Sequence, residues 1–453
     1  MDYICSEWLD LKDWNRMLRK LCTTIAVMAV VLSGITAHAA TASLGSVAFV
    51  QNQQLWVKDI PSGKALLLDK DKDCSTPKWS ADGEWLAYLS GDSLMIIHRS
   101  GKFSAKVAKV GDTPTYSWSP NVDTLAYIAS DRSLRTVDFV LDRSRIKLSE
   151  RKITSAGDAE ATGVWSYKWG LDGKHIAYVR VDKFGKMGPG NMPGLQSSVW
   201  KINADGTEAI KLLNAGRNTY LPILAAWSPD SNWIFFWKDI MYSGSILADG
   251  VPLCRLSTSG GEAKDIVPSM LAYNDYLSFS PDGTRFAATV YGDRMEWSSK
   301  RLSIVDIQRS TKLNVTSGKD VALSPAWSPQ GYEIAYVTAP DQAGVSAMSK
   351  VKFSMRKIGI INTHSWKARV ITRDMAFRDE SPRWSDDGDT LLIVRVGLDK
   401  KASIWMMDHN GRGQKKVISE FASSRGNYYG HTNWSEYFDW WNKKPEVKTL
   451  EAR

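Results

Sequence analysis

Histidine and cysteine are scarce in this chain: 453 residues hold 6 His and 4 Cys. Beyond the N-terminal segment the histidines are His98, His175, His364, His409 and His431. None lies within metal-ligand spacing of another, and no Cys–His cluster occurs, which excludes a metal site built from neighbouring ligands. There is no Gly-x-Ser-x-Gly; the nearest text, Ser243-Gly244-Ser245, lacks the pattern, so the exposed serine of a nucleophile elbow is missing. No Gly-rich phosphate loop stands beside a helix start. No helix-period apolar stripe runs over a long window, which excludes bundles and helical solenoids. Long apolar runs are absent too, apart from about Thr23 to Ile35, which is short for a membrane span. Catalytic residues, cofactors and bound metals are therefore not expected.

What the chain has instead is one short text, repeated. Trp79-Ser80-Ala81-Asp82-Gly83 leads into Leu86-Ala87-Tyr88, and Trp327-Ser328-Pro329-Gln330-Gly331 leads into Ile334-Ala335-Tyr336. Each copy reads as a strand end, a tight turn and a second strand, because Pro presets φ, Gly accepts a positive φ, and the apolar residues then alternate. Related copies start at Trp118, Trp169, Trp227, Phe279 and Trp384. A period near 50 residues, with several short strands per unit, is the signature of a β-propeller. The anchor aromatics are expected in the core, where large rings bury most area.

Both ends of the repeat array are incomplete. Ser46–Val50, Gln54–Asp59 and Lys64–Leu68 read as three strands that precede the first anchor, hence a blade without its innermost strand. His431-Thr432-Asn433-Trp434-Ser435 repeats the Trp-Ser step 50 residues after Trp384 and offers the missing one. The expected fold is all-β: a single propeller over 40–442 with eight blades of four antiparallel strands, closed by pairing of the N- and C-terminal strands. Seven blades is the alternative if the Trp434 match is accidental. Cys74 and Cys254 fall in repeats on opposite sides of such a ring and are not expected to pair. Residues 443–453 read as a tail.

The N-terminus reads as an export signal. Arg19-Lys20 precede the apolar run, and Ala37-His38-Ala39 is a small-x-small site, so 1–39 is expected to be cleaved between Ala39 and Ala40. Met17, just ahead of the basic pair, is the expected start of translation. The alternative is an uncleaved anchor. The chain carries a formal charge of +9. The leader's Lys12, Arg16, Arg19 and Lys20 are balanced by Asp2, Glu7, Asp10 and Asp13, so export leaves that charge unchanged. The cations are scattered rather than gathered into a stripe, which argues against nucleic acid. An acidic polymer is the weaker alternative, favoured by the local group Lys350, Lys352, Arg356 and Lys357.

The Trp-Ser-Pro-Asp-Gly hairpin followed by aliphatic-Ala-Tyr resembles the WD40-like repeat of the TolB family, and is similar to the propellers of dipeptidyl peptidase relatives. The resemblance covers roughly residues 45–440. TolB proteins carry an α/β domain before the propeller and the peptidases a hydrolase domain after it. Here the expectation is a propeller with neither. It implies a periplasmic or secreted, monomeric, non-catalytic scaffold that binds an envelope protein or peptide. The alternatives are a carbohydrate-active, lyase-like enzyme with a metal in the central pocket, or an accessory propeller to a separate hydrolase.

In a propeller the turns after the anchors lie on one face. The loops between second and third strands, and between blades, lie on the other. The length variation falls on that second face, at 182–197, 239–250, 291–299 and 339–355. Tyr242, Tyr273, Trp297 and Met348 are the contacts expected there, since exposed aromatics and Met suit protein recognition.

Overall fold

The computed structural model describes residues 43–71, 73–111, 114–157, 162–183, 195–217, 220–240, 249–291, 294–345, 355–423 and 429–442. The expected leader 1–39, with its cleavage site, and the tail 443–453 lie outside the described residues.

Each repeat forms one four-stranded antiparallel sheet, and there are eight. Blade 1 joins Ser46–Gln51, Gln54–Asp59 and Leu66–Asp69 to Phe438–Trp441 from the far end of the chain. Blades 2 to 8 follow in sequence order. Their innermost strands are Cys74–Trp79, Tyr116–Trp118, Gly163–Trp169, Leu221–Trp227, Leu277–Phe279, Asp320–Trp327 and Phe377–Trp384. The eight-bladed expectation and its closure by the two termini both hold.

Closure uses a different tryptophan from the one expected. Trp434 lies in a 3-10 turn, Trp434–Glu436, outside the sheet. The register identifies the true eighth anchor. Each anchor faces the first residue of its aliphatic-Ala-aromatic triplet: Trp79 faces Leu86, Trp169 faces Ile176, and Trp327 faces Ile334. In blade 1 the corresponding triplet is Val47-Ala48-Phe49, and Val47 faces Trp440. Trp440 is also as buried as the other anchors. The Trp-Ser step was misleading because in blade 1 the chain has no turn to make after its anchor. The second strand there comes from the other terminus, so serine is not needed.

The turn text is explained by its hydrogen bonds. Ser80 Oγ donates to Asp82 Oδ1 at 2.5 Å and accepts the Trp85 N–H at 3.0 Å. Asp82 Oδ1 then accepts the Glu84 N–H at 2.9 Å. The same set recurs at Ser228/Asp230, Ser280/Asp282 and Ser385/Asp387. Gly83 and Gly283 sit at φ +73° and +68°, where a β-carbon would be strained.

Blade-to-blade contact is also systematic. The anchor indole N–H donates to the carbonyl of the residue before the preceding blade's anchor: Trp118 to Lys78, Trp169 to Ser117, Trp227 to Lys168, and Trp384 to Ala326. Between these rings the second-strand triplets pack face to face, with Leu86, Ala126, Ile176, Ala287 and Leu392 fully buried. Burial of the larger of these, Leu86, Ile176 and Leu392, is worth about 1.5–3 kcal/mol each.

If Trp440 is the anchor that closes the ring, Trp440→Ala lowers unfolding stability by about 3–5 kcal/mol, as for other buried tryptophans. Denaturant unfolding of the variant measures this. A shift below about 1 kcal/mol would remove Trp440 from that role.

Candidate functional site

Two inter-blade connections meet over the central channel, on the face that carries the long loops. One is 271–276, leading from blade 5 into blade 6. The other, 429–437, leads from blade 8 back to the innermost strand of blade 1. Between them lies a cavity of about 630 Å³, lined by Tyr273, Asn274, Asp275, Arg383, His431 and Trp434 among others.

The second connection is tied down along its length. The Tyr429 carbonyl accepts the Glu296 N–H at 3.1 Å, and its hydroxyl accepts Arg294 Nη1 at 2.7 Å. His431 stacks on Tyr273 with ring centres 3.7 Å apart and planes within 10°, and its Nε2 meets Asp275 Oδ1 at 3.0 Å. Trp434 Nε1 donates to Glu380 Oε2 at 2.8 Å. The Tyr437 carbonyl accepts Val50 N–H at 2.8 Å, and the strand Phe438–Trp441 begins.

Beneath this strap lies a buried ionic cluster. Arg356 donates to Glu296 at 2.9 Å and to Glu380 at 2.8 Å, and Arg378 Nε lies 3.1 Å from Glu380. The Tyr276 hydroxyl donates to Glu296. Burial works against ionisation of Glu380, but Arg378 and Arg356, with the Trp434 N–H, hold its carboxyl below the usual range. Burial likewise opposes charge on Arg356, and Glu296 and Glu380 more than offset it. Burial, reinforced by Glu296, pushes the Tyr276 phenol well up, so it stays a donor. The cluster joins blades 6, 7 and 8 under the channel mouth.

His431 is only 9% exposed. Burial disfavours its charge, yet Asp275, with Glu296 and Glu380 behind it, pushes the imidazole up to about 9. It is therefore an imidazolium at neutral pH, stacked on a tyrosine face, an arrangement that attraction between cation and ring favours. Asp275 Oδ2 also accepts Ser324 Oγ at 2.9 Å. The aspartate thus sits between serine and histidine. The serine proton points at the carboxylate and not at the imidazole, so the three do not form a nucleophile and base in contact.

Three of the residues that directly precede an anchor are long cations, Lys78, Lys168 and Arg383. Arg383 Nη1 lies 3.6 Å from Asp439, with its guanidinium 4.2 Å over the Phe438 ring. Lys168 Nζ donates to Asn274 Oδ1 at 3.2 Å, spanning past blade 5.

The four expected contacts fare differently. Tyr273 is at the channel mouth. Trp297 is not a surface group: it is 3% exposed and its Nε1 donates to the Val345 carbonyl at 2.9 Å, pinning one long loop to the next. Tyr242 and Met348 lie outside the described residues, as do most of the loops 182–197, 239–250 and 339–355. Sequence reasoning passed over His431, Asp275 and Arg383. Arg383, Lys168 and Lys78 each directly precede an anchor, a signal that aligning the repeats would have shown. Asp275 and His431 carry no such mark, since they meet from positions 156 residues apart. Among the described residues no group of three His, Cys, Asp or Glu is placed to hold a metal ion.

No family model matches the chain. Over 128 residues it is 30% identical to the uncharacterized peptidase YuxL of Bacillus subtilis (strain 168), which covers 28% of this chain and 18% of that protein. Among solved structures it is similar to dipeptidyl peptidase 4 of Porphyromonas gingivalis (12% identity, TM-score 0.56, covering 82% of this chain and 56% of that one). TolB of Acinetobacter baumannii also matches, at 13% identity and TM-score 0.36, over 84% of this chain and 65% of that one. The chain thus spans less than a fifth of the Bacillus relative and little over half of the peptidase. At such identity the structural likeness is one of fold, a propeller, as the repeats implied.

The raised imidazole pKa fixes the sign of a pH effect. His431 gains affinity for its proton on folding, so its stabilising contribution is complete below its ordinary value of 6.5 and fades as pH rises through about 9. The stability difference between the parent and His431→Gln is expected to shrink steadily across that window in denaturant titrations. A difference constant from pH 6.5 to 9 would contradict the Asp275–His431 pair.

Proposed function

We propose that this chain is an exported, non-catalytic propeller of the cell envelope that binds a protein or peptide at the channel mouth on its long-loop face. One observation carries the reading: the mouth is a preformed recess of about 630 Å³, rimmed by the Tyr273–His431 stack and by Arg383, with no activated nucleophile at it among the described residues. A recess with aromatic walls, a fixed cation and several carboxamide and hydroxyl groups is what peptide recognition uses. The Ser324–Asp275–His431 arrangement supports the non-catalytic side of the reading, because the carboxylate occupies the place a catalytic imidazole would take. Export rests on the leader-like residues 19–39. The match to a Bacillus peptidase keeps a role beside a hydrolase as the second reading.

The test is capture from detergent-solubilised envelopes on immobilised protein, beside a Tyr273→Ala variant. A single partner retained by the parent and reduced about tenfold or more by the variant is expected, since a central aromatic contact is worth about 2 kcal/mol or more. A partner held equally by both would move the site away from the mouth. Retention of nothing specific by the parent, with hydrolysis of a peptide library instead, would replace the scaffold by the peptidase-linked reading.

A further inference from the structure

The mouth cavity holds a cation whose hydrogen-bonding capacity is unused. Arg383 stands on the innermost strand of blade 8, one residue before the anchor Trp384. Its side chain is 28% exposed and lines the 630 Å³ cavity. The guanidinium carbon lies 4.2 Å over the Phe438 ring, a contact that occupies the face of the group and leaves its fork of N–H donors open. Among the described residues Asp439 is the one carboxylate within ion-pair distance, and its Oδ1 is 3.6 Å from Nη1, too far for a hydrogen bond. Each Asp439 oxygen already accepts a backbone N–H: Oδ2 from Trp79 at 3.0 Å and Oδ1 from Trp440 at 3.0 Å. No hydrogen bond reaches the Arg383 guanidinium from any described residue.

The other cation at the mouth is matched, since His431 meets Asp275 at 3.0 Å. Arg383 is not. Burial works against its charge, and Asp439 and Asp275 offset that only in part. Two further donors line the same cavity. Lys168 engages Asn274 Oδ1, which leaves Asn274 Nδ2 as a donor without a partner among the described residues, and the Ser381 hydroxyl has none either.

We infer that the mouth cavity takes one carboxylate of the docked peptide, held by the Arg383 guanidinium. This rests on the reading that the mouth binds a peptide, and adds the chemistry by which it selects one. A guanidinium offers a carboxylate parallel N–H bonds from one rigid fork, and such charge-assisted pairs are stronger than neutral hydrogen bonds. The pairing supplies the counter-charge that Asp439 provides only at a distance. Ser381 and Asn274 carry donors for the remaining lone pairs of the carboxylate. The group is either a chain terminus or an acidic side chain.

Titration of the full chain, followed by saturation-transfer NMR, tests this with three peptides of one frame: acetyl-Gly-Gly-Phe, its C-terminal amide, and acetyl-Gly-Asp-Phe-amide. At least one of the two acids is expected to bind saturably, about tenfold or more tighter than the neutral amide, the scale of one charge-assisted bond. Preference for the first alone identifies a chain terminus, and for the third alone an acidic side chain. Arg383→Gln should erase the preference, and Arg383→Lys, which keeps the charge without the fork, should retain only part of it. The readout is the ratio of acid to amide affinity, because a general loss of packing on Phe438 would weaken all three peptides alike. A far-ultraviolet circular dichroism spectrum matching the parent establishes that each variant is folded. Equal binding of the three peptides, lost in Tyr273→Ala, would overturn the inference and leave peptide docking at the mouth standing. Binding of none would overturn it as well, and capture of an envelope partner through Tyr273 would then still support docking. A preference for acid that persists in folded Arg383→Gln would remove Arg383 from the role.

Discussion

A propeller stands or falls on how its ring is closed. Seven of the eight sheets here are formed from consecutive sequence, and each could in principle assemble with its neighbour. The eighth cannot. Ser46–Phe49 finds its inner partner only when Phe438–Trp441 arrives from the other end of the chain. Without that pairing, one sheet would lack its inner strand and the ring would present an unpaired edge. The cooperative unit is therefore nearly the whole chain from 44 to 442, and every feature at the channel depends on that closure.

The strap that delivers the closing strand also builds the mouth. On its way to blade 1, 429–437 lays His431 on Tyr273 and sends Trp434 into the ionic cluster of Glu296, Arg356 and Glu380. Closure and site are consequently one construction. The cluster itself is a poor source of net stability, because burying its charges costs about as much as their attraction returns. Its value is directional: removing one member would leave uncompensated buried charge, so the strap has a single well-defined seat.

Charge and shape divide the work along the channel. At the mouth, the imidazolium, Asp275 and Arg383 alternate in sign around aromatic walls. At the residue before each anchor, Lys78, Lys168 and Arg383 stand against the single carboxylate Asp439, where other blades place Ser or Ala. The backbone carbonyl at that position receives the next blade's indole N–H in four of the joints. At Asp439 and Ser278 the side chain also accepts the next anchor's backbone N–H.

The linear sequence was enough to show the blades, seven of their eight anchors, the tight turns that follow them and the need for the two ends to pair. Each of those rests on contacts within about ten residues, or on a repeat that multiplies a weak local signal. Trp434 and Trp297 show where such reasoning stops. Trp434 carries the repeat's Trp-Ser text but not its register, which only the pairing of Val47 with Trp440 reveals. Trp297 sits in a long loop, yet that loop folds onto its neighbour and buries the ring. The channel mouth was decided by the tertiary structure alone. Tyr273, Asp275, Arg383 and His431 come from three connections and strands far apart in the chain, and their proximity follows from ring closure, which no local pattern encodes.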